Sequence, residues 1–135
     1  MARSVLGAPY EWAGNGPDTF DCSGLIVWAY REVLGLNNIF YTGTSVVSDV
    51  TMQMFYDHNS IPVDEPLPGD LVFITYEEGT ITHGGLVEAV TEEGVTFIHA
   101  SSTAGGVVRE EPPWPLDGIV RDQWIAGFGR LITCR

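Results

Sequence analysis

Phe20-Asp21-Cys22-Ser23-Gly24-Leu25 joins a loop rich in glycine and proline to an apolar segment with helical spacing. Asp21 suits the N-cap position of that helix, which places Cys22 in its first turn. Apolar positions then recur along one face of the segment, at Ile26, Ala29, Tyr30 and Val33. At such a helix start, unpaired backbone N–H groups and the positive end of the macrodipole favour a thiolate over a thiol. The stretch therefore indicates a nucleophilic cysteine, although a lone cysteine is more often a small buried hydrophobe.

Two of the three histidines lie on what the sequence predicts to be one β-hairpin. His83 opens an extended apolar run, and His99 lies in a second run of β-formers. Between them, Thr91-Glu92-Glu93-Gly94 suits a hairpin loop, with Gly94 available for positive φ. Singly, each histidine would be an ordinary strand residue. A thiol nucleophile needs a base, however, and the base needs a third group to orient it, so the pair beside Cys22 favours catalysis.

In their order along the chain, these residues resemble the NlpC-type cysteine peptidases of bacterial cell walls, a circularly rearranged branch of the papain-like fold. The resemblance begins with Pro9-Tyr10-Glu11-Trp12, followed by Asp21-Cys22-Ser23-Gly24-Leu25. It continues, over nearly the whole chain, through Pro68-Gly69-Asp70-Leu71-Val72-Phe73, His83-Gly84-Gly85, Ile98-His99-Ala100 and the closing Gly129-Arg130-Leu131-Ile132. Each motif is weak by itself, but together, in the family's order, they are specific.

The resemblance implies roles for the residues that match these motifs. Cys22 would be the nucleophile, His83 its base, and His99 the residue that orients the base. Tyr10 would stand beside the cysteine and help to hold the oxyanion or the substrate. The positions flanking the nucleophile, which in some members contact the peptide stem of the substrate, are Asp21 and Ser23.

Three features depart from the family pattern. Ala13 and Gly84 take places usually held by glycine and valine. The interval from His83 to His99 is a few residues longer than usual, which implies a longer hairpin. Because side chains alternate along a strand, an odd insertion without a β-bulge would turn His99 away from His83. The register of this hairpin therefore decides whether the two rings meet.

The order of elements predicts an α+β fold, with N-terminal helices packed on a mostly antiparallel central sheet, which the resemblance makes papain-like. We expect residues 1–135 to form a single NlpC-type cysteine peptidase domain, cut from a larger modular protein. Predicted helices end near Leu6, span about Cys22 to Leu34 before Gly35, and begin after Thr44 or Ser45 with Val47, Val50 and Met54 facing inward. Predicted strands are about Leu71 to Tyr76, the two histidine strands, Val107 to Glu110 and Phe128 to Thr133. His58, at a polar helix exit, is expected to face solvent.

The net charge of −12 limits the classes of partner. It disfavours nucleic acid and unaided adhesion to anionic walls or membranes, and no stretch approaches the ~20 apolar residues of a membrane span. The short paired spacings of zinc ligands are missing, so we expect no metal and no cofactor. We expect Cys134 to be a second, functionally neutral free thiol. The glutamate pairs, including Glu110-Glu111, are interpreted as solvated loops.

The resemblance implies hydrolysis of an amide bond in the peptide stem of peptidoglycan, most often between D-glutamate and a dibasic third residue. The expected partner is that stem peptide, and the isolated domain is expected to be a monomer. Other domains of the parent protein, or a phage particle, would tether it, which places it outside the cell, in the cell envelope or on a virion. Two alternatives stay open. One is a papain-like amidase or acyltransferase on another substrate, and the other is a non-catalytic domain that binds muropeptides or serves as a structural part.

Overall fold

The computed structural model of the protein describes residues 2–14, 16–35, 40–42, 46–47, 50–75, 80–81, 83–92, 94–101, 105–111 and 124–132. After a 3₁₀ turn at Ala2–Val5, the helices are α1 (Cys22–Leu34) and α2 (Met52–His58). The strands are β1 (Phe40–Tyr41), β2 (Val46–Val47), β3 (Ser60–Val63), β4 (Leu71–Thr75), β5 (His83–Thr91), β6 (Gly94–Ser101), β7 (Gly106–Glu110) and β8 (Trp124–Leu131).

A six-stranded sheet in the order β3-β8-β4-β5-β6-β7 forms the centre of the fold, and β1 and β2 form a separate small ribbon. All five pairings within the large sheet are antiparallel. Helix α1 packs against β5 and β6, the two strands that carry His83 and His99. The topology thus sets helix α1 against the hairpin that carries both histidines.

Helix α1 has the boundaries that the sequence predicts. Asp21 caps it, since its carboxylate accepts a hydrogen bond from the Gly24 N–H at 2.6 Å, and Gly35 ends it with φ 68°. The predicted buried face is only partly right, because Val33 is 65% exposed. Leu25 and Val27 are fully buried, since the first half of the helix is covered around more of its circumference than one narrow face.

The second helix begins later than predicted. Its N-cap is Thr51, whose hydroxyl accepts from the Met54 N–H at 3.3 Å, while Thr44 and Ser45 lie outside the described residues. Val47 belongs to β2, where it pairs with Phe40, so it does not share a helix face with Met54. A β-branched residue fits a strand better than a helix, and this pairing overrides the helical spacing. His58 is exposed at the end of α2, as predicted.

The strands at one edge of the sheet differ from the prediction. The last strand runs from Trp124 to Leu131 and so begins earlier than the predicted Phe128, since it pairs with both β3 and β4, while Thr133 lies outside the described residues. Strand β3 was missed because it contains Pro62. Proline lacks an N–H, and it is tolerated here because β3 is an edge strand. The predicted strands at β4 and β7 are confirmed over their described residues.

Apolar side chains pack on both faces of the central sheet. The larger cluster joins α1 to one face and includes Phe20, Ile26, Phe73 and Ile98. The smaller cluster includes Val72, Val87 and Phe97. None of the described helices is long and apolar enough to cross a membrane.

Candidate active site

The loop before α1 places Tyr10 close to Cys22. Backbone bonds close this loop on itself, from the Phe20 N–H to the Pro9 carbonyl at 3.1 Å and from the Asp21 N–H to the Gly14 carbonyl at 2.8 Å. Burial raises the pKa of the Tyr10 phenol, and its electrostatic interactions with Cys22 and Asp21 raise it further. The phenol is therefore a protonated hydrogen-bond donor beside the sulfur.

The sulfur of Cys22 is partly buried and not in a disulfide. Burial raises the pKa of this thiol to about 11, and the negative charge of Asp21 adds to the increase. The backbone N–H groups of Ser23 and Cys22 oppose this shift, as the helix-start reasoning requires, but they are the smaller effect. The expectation of a resting thiolate is therefore wrong, because desolvation and the N-cap carboxylate outweigh the helix terminus.

His83 and His99 meet directly. His83 Nε2 and His99 Nδ1 are 2.6 Å apart, and the two rings pack edge to face. Burial lowers the pKa of His83 to about 3, and the neighbouring ring of His99 lowers it further. Burial also lowers the pKa of His99. Both rings are therefore neutral at ordinary pH, and His83 Nδ1 is the ring nitrogen left for another partner.

A β-bulge brings the two rings to the same face of the hairpin. Leu86 pairs with Ile98 and Val87 with Phe97, but the next pair joins Ala89 to Thr96, so Glu88 is an extra residue. Without this bulge, the pairing near the turn, such as Val90 with Val95, would continue along the whole hairpin. The two histidines would then point to opposite faces of the sheet. The β-bulge therefore allows His83 and His99 to meet even though the hairpin is longer than usual.

The bulged residue is held by two arginines from distant parts of the chain. Arg109 on β7 makes two bonds to the Glu88 carboxylate, at 2.6 and 2.7 Å, and Arg3 makes a third at 2.8 Å. The arginines lower the pKa of Glu88. Since the carboxylate is largely shielded from solvent, these bonds fix the bulge in place.

Two glycines of β5 make room for their neighbours. A Cβ at Gly85 would lie 3.0 Å from the His99 Cβ and 2.6 Å from the Ile98 carbonyl oxygen. A Cβ at Gly84 would lie 2.2 Å from the Met52 methyl carbon. Gly85 therefore permits the close approach of His99, and the Met52 side chain fills the space that a valine would take at position 84.

Glu110 is a polar partner of this site that the sequence reasoning missed. His99 Nε2 lies 3.0 Å from Glu110 Oε1, and the carboxylate raises the pKa of His99 against the effect of burial. The interpretation of Glu110 as part of a solvated loop is wrong, because it ends strand β7 on the same face as His99. Strand alternation from Val108 could have revealed this placement.

The two predicted substrate-contact residues line a cavity of about 300 Å³ next to the start of α1. Its walls include Asp21, Ser23, Thr42, Thr51 and Met54. The Ser23 hydroxyl also donates to the Asp21 carboxylate at 3.3 Å. A second cavity, of about 370 Å³, lies between α1 and β5 and includes none of the six predicted site residues.

The structure does not join Cys22 to the histidines by a hydrogen bond. Among the residues described, Asp21 shifts the pKa of Cys22 and Cys22 shifts that of Tyr10, whereas His99 shifts the pKa of His83. The predicted ion pair between thiolate and imidazolium is therefore missing from this state. Burial also favours the uncharged form of both the thiol and the imidazole.

Other polar groups serve the fold. Arg130 donates two hydrogen bonds to the buried carboxylate of Asp70, at 3.0 and 3.1 Å, which ties β8 to the start of β4. Within the described ranges, no three Cys, His, Asp or Glu side chains are grouped to hold a metal ion. Cys134 lies outside the described residues.

The sequence of this chain matches one known protein family. A model of the NlpC/P60 family matches residues 7–115. The chain belongs to this family. It is 29% identical to the probable endopeptidase p60 of Listeria grayi over 136 residues, which cover 96% of the chain and 21% of that relative. It is 35% identical to the probable endopeptidase p60 of Listeria seeligeri over 140 residues, again 96% of the chain and 21% of the relative. The chain thus spans about a fifth of the length of these curated relatives.

Solved structures show the same fold. The NlpC/P60 domain of the peptidoglycan hydrolase SagA superimposes with a TM-score of 0.61 and 26% identity, covering 84% of this chain and 86% of that one. NlpC1 from Trichomonas vaginalis gives a TM-score of 0.71 at 24% identity, covering all of this chain and 42% of that one. The predicted papain-like α+β fold is confirmed.

Proposed function

We propose that this NlpC/P60 domain is a cysteine peptidase that hydrolyses an amide bond in the peptide stem of peptidoglycan. The observation that carries the proposal is the bond between His83 and His99, which leaves His83 Nδ1 available as a base in a domain whose helix α1 begins at a cysteine. Support comes from the family match and from relatives named probable endopeptidases. The SagA structure is that of a peptidoglycan hydrolase.

In this proposal, the reaction starts from a neutral thiol and a neutral imidazole. When substrate excludes water, His83 Nδ1 takes the proton from Cys22 as the sulfur forms a bond to the amide carbonyl carbon. The protonated ring then gives that proton to the leaving amine as the C–N bond breaks. Water, deprotonated by the same nitrogen, releases the acyl group and restores the thiol. Catalytic hydrogen bonds in substrate-free enzymes are often long and tighten on binding, so the proposal does not require a Cys22–His83 hydrogen bond before substrate binds.

Two donors would stabilise the oxyanion that forms in this step. The backbone N–H of Cys22 lies at the start of α1, where it has no partner within the helix. The Tyr10 hydroxyl stays protonated because its pKa is raised, so it can donate as well. Each such donor typically lowers the barrier by about 3 kcal/mol.

We place the peptide stem in the cavity that Asp21 and Ser23 line. The bond that we propose joins γ-D-glutamate to a dibasic amino acid, and the anionic Asp21 suits a cationic amine of such a peptide. The role of His99 is to orient His83. With a net charge of −12, the domain would be retained on anionic walls by other domains or by a phage particle, outside the cell or in its envelope.

Digestion of purified peptidoglycan tests this function. Mass spectrometry of the released fragments would identify the bond from the new amine termini. We expect release with the wild-type chain, and loss of release in Cys22→Ala and His83→Gln with the fold intact by circular dichroism. No release by folded wild-type protein would refute a peptidase on this substrate. Release that survives in Cys22→Ala would refute Cys22 as the nucleophile.

A further inference from the structure

We propose that Glu110 is a positioning residue that sets the protonation pattern of both histidines through His99. The proposal rests on the function proposed above, because it concerns the readiness of His83 to accept a proton. It adds a carboxylate to the site, at the end of a row that runs from Glu110 through His99 to His83.

The hydrogen-bond geometry defines this row atom by atom. Glu110 Oε1 is 3.0 Å from His99 Nε2, and His99 Nδ1 is 2.6 Å from His83 Nε2. An ionised carboxylate can only accept a hydrogen bond, so His99 carries its proton on Nε2. His99 Nδ1 must then accept, and His83 donates from Nε2. The lone pair of His83 is therefore on Nδ1, where the proposed reaction needs it.

The groups around His99 indicate that Glu110 determines which ring nitrogens carry protons. In the described part of the chain, the titratable groups that interact with His99 are His83 from β5 and Glu110 from β7. The His99 side chain is 6% exposed, whereas that of Glu110 is 35% exposed, so the row runs from a buried ring to the protein surface. Arg109, which precedes Glu110, is bound to Glu88 and does not neutralise the row.

The same row would stabilise the charge that forms during the reaction. When His83 takes the thiol proton, the ring becomes positive in a site where burial opposes that charge. The Glu110 carboxylate faces this charge through the neutral ring of His99. Outer partners that orient a functional histidine typically contribute about 10- to 100-fold to activity, as known for metal-ligating histidines.

Two substitutions separate the geometry from the charge. Glu110→Ala removes the acceptor and the charge, whereas Glu110→Gln keeps an acceptor oxygen and removes only the charge. Glu111→Ala is the matched control, because Glu111 is an exposed neighbouring carboxylate. In each ¹⁵N-labelled protein, side-chain NMR reports which nitrogen of His83 and His99 carries a proton, and peptidoglycan digestion gives kcat and KM.

We expect both rings of the wild type and of Glu111→Ala to be protonated on Nε2. In Glu110→Ala, His99 should become a mixture of tautomers, and kcat should fall about 10- to 100-fold with KM nearly unchanged. Glu110→Gln should keep the wild-type tautomers and recover part of kcat. If Glu110→Ala fails to fold, Glu110→Gln must still show a reduced kcat.

The proposal is overturned if the tautomers and kcat of Glu110→Ala match those of Glu111→Ala, or if the tautomers change and kcat does not. The NMR measurement needs no turnover. A wild-type protein without peptidase activity would therefore count against the proposed function, while the tautomers of Glu110→Ala would still decide whether Glu110 orders the histidines.

Discussion

Acidification should destabilise this fold over the pH range between the pKa values of His83 in the unfolded and folded states. The unfolded chain protonates an imidazole near its ordinary pKa of about 6.5. In the folded protein, burial and the ring of His99 lower the pKa of His83 to about 3. Between these values the unfolded state binds the additional proton, so the free energy of unfolding falls as the pH falls. For this one group, the loss from about pH 7 to pH 5 is about 2 kcal/mol.

A comparison of variants isolates this contribution. His83→Gln keeps a side-chain donor for His99 but removes the titrating ring. Urea unfolding, followed by tryptophan fluorescence, gives the free energy of unfolding at each pH. The free energy of unfolding of the wild type, minus that of His83→Gln, should fall by about 2 kcal/mol from about pH 7 to pH 5. Subtracting the two curves cancels the general relief of charge repulsion in a chain of net charge −12.

The control is His58→Gln, which removes an exposed imidazole at the end of α2. Its curve shows what the loss of a surface imidazole does under the same conditions. If the wild-type and His83→Gln curves run parallel, then His83 is not held neutral by its surroundings, and the account of the site as an uncharged pair is refuted.

Three further predictions concern other positions. Ala13 has φ 64°, a left-handed conformation that costs a residue with a Cβ about 1 kcal/mol. Ala13→Gly should therefore raise the urea concentration at the midpoint of unfolding. An unchanged or lower midpoint would show that Ala13 is not strained. Deleting Glu88 should remove the bulge and separate His83 from His99, which the loss of their ring-to-ring hydrogen bond in NMR would show, whereas Glu88→Gln should keep it. The pKa of Cys22 is raised to about 11, so alkylation of this thiol by iodoacetamide should be slow at about pH 6. The rate should rise about tenfold per pH unit from about pH 7 to pH 10. Mass spectrometry of the peptide that contains Cys22 measures this rate. A fast rate that does not change with pH would instead show a resting thiolate.

Local signals were enough to predict α1 and its first residues. An aspartate before an apolar segment with helical spacing, and a glycine after it, determine a helix with little help from the rest of the chain. The observed cap at Asp21 and the end at Gly35 follow from these signals. The hairpin of β5 and β6 was predictable for the same reason, because Gly94 takes the positive φ that its turn requires.

Elements chosen by packing were not predictable in the same way. Thr44, Ser45 and Thr51 are all suitable N-caps, and the pairing of Val47 with Phe40 selects the last of them. The edge position of β3 allows a proline that would otherwise argue against a strand. In both cases a long-range contact decides between local possibilities of similar free energy.

The sequence by itself determined that one cysteine begins a helix and that two histidines share one hairpin, because capping, turn and alternation preferences act over a few neighbouring residues. Only the tertiary structure decided that both rings lie on one face, since the bulge at Glu88 depends on Arg109 from another strand. Tertiary structure also made Cys22 a thiol, because desolvation depends on everything packed around the sulfur and not on the helix start alone.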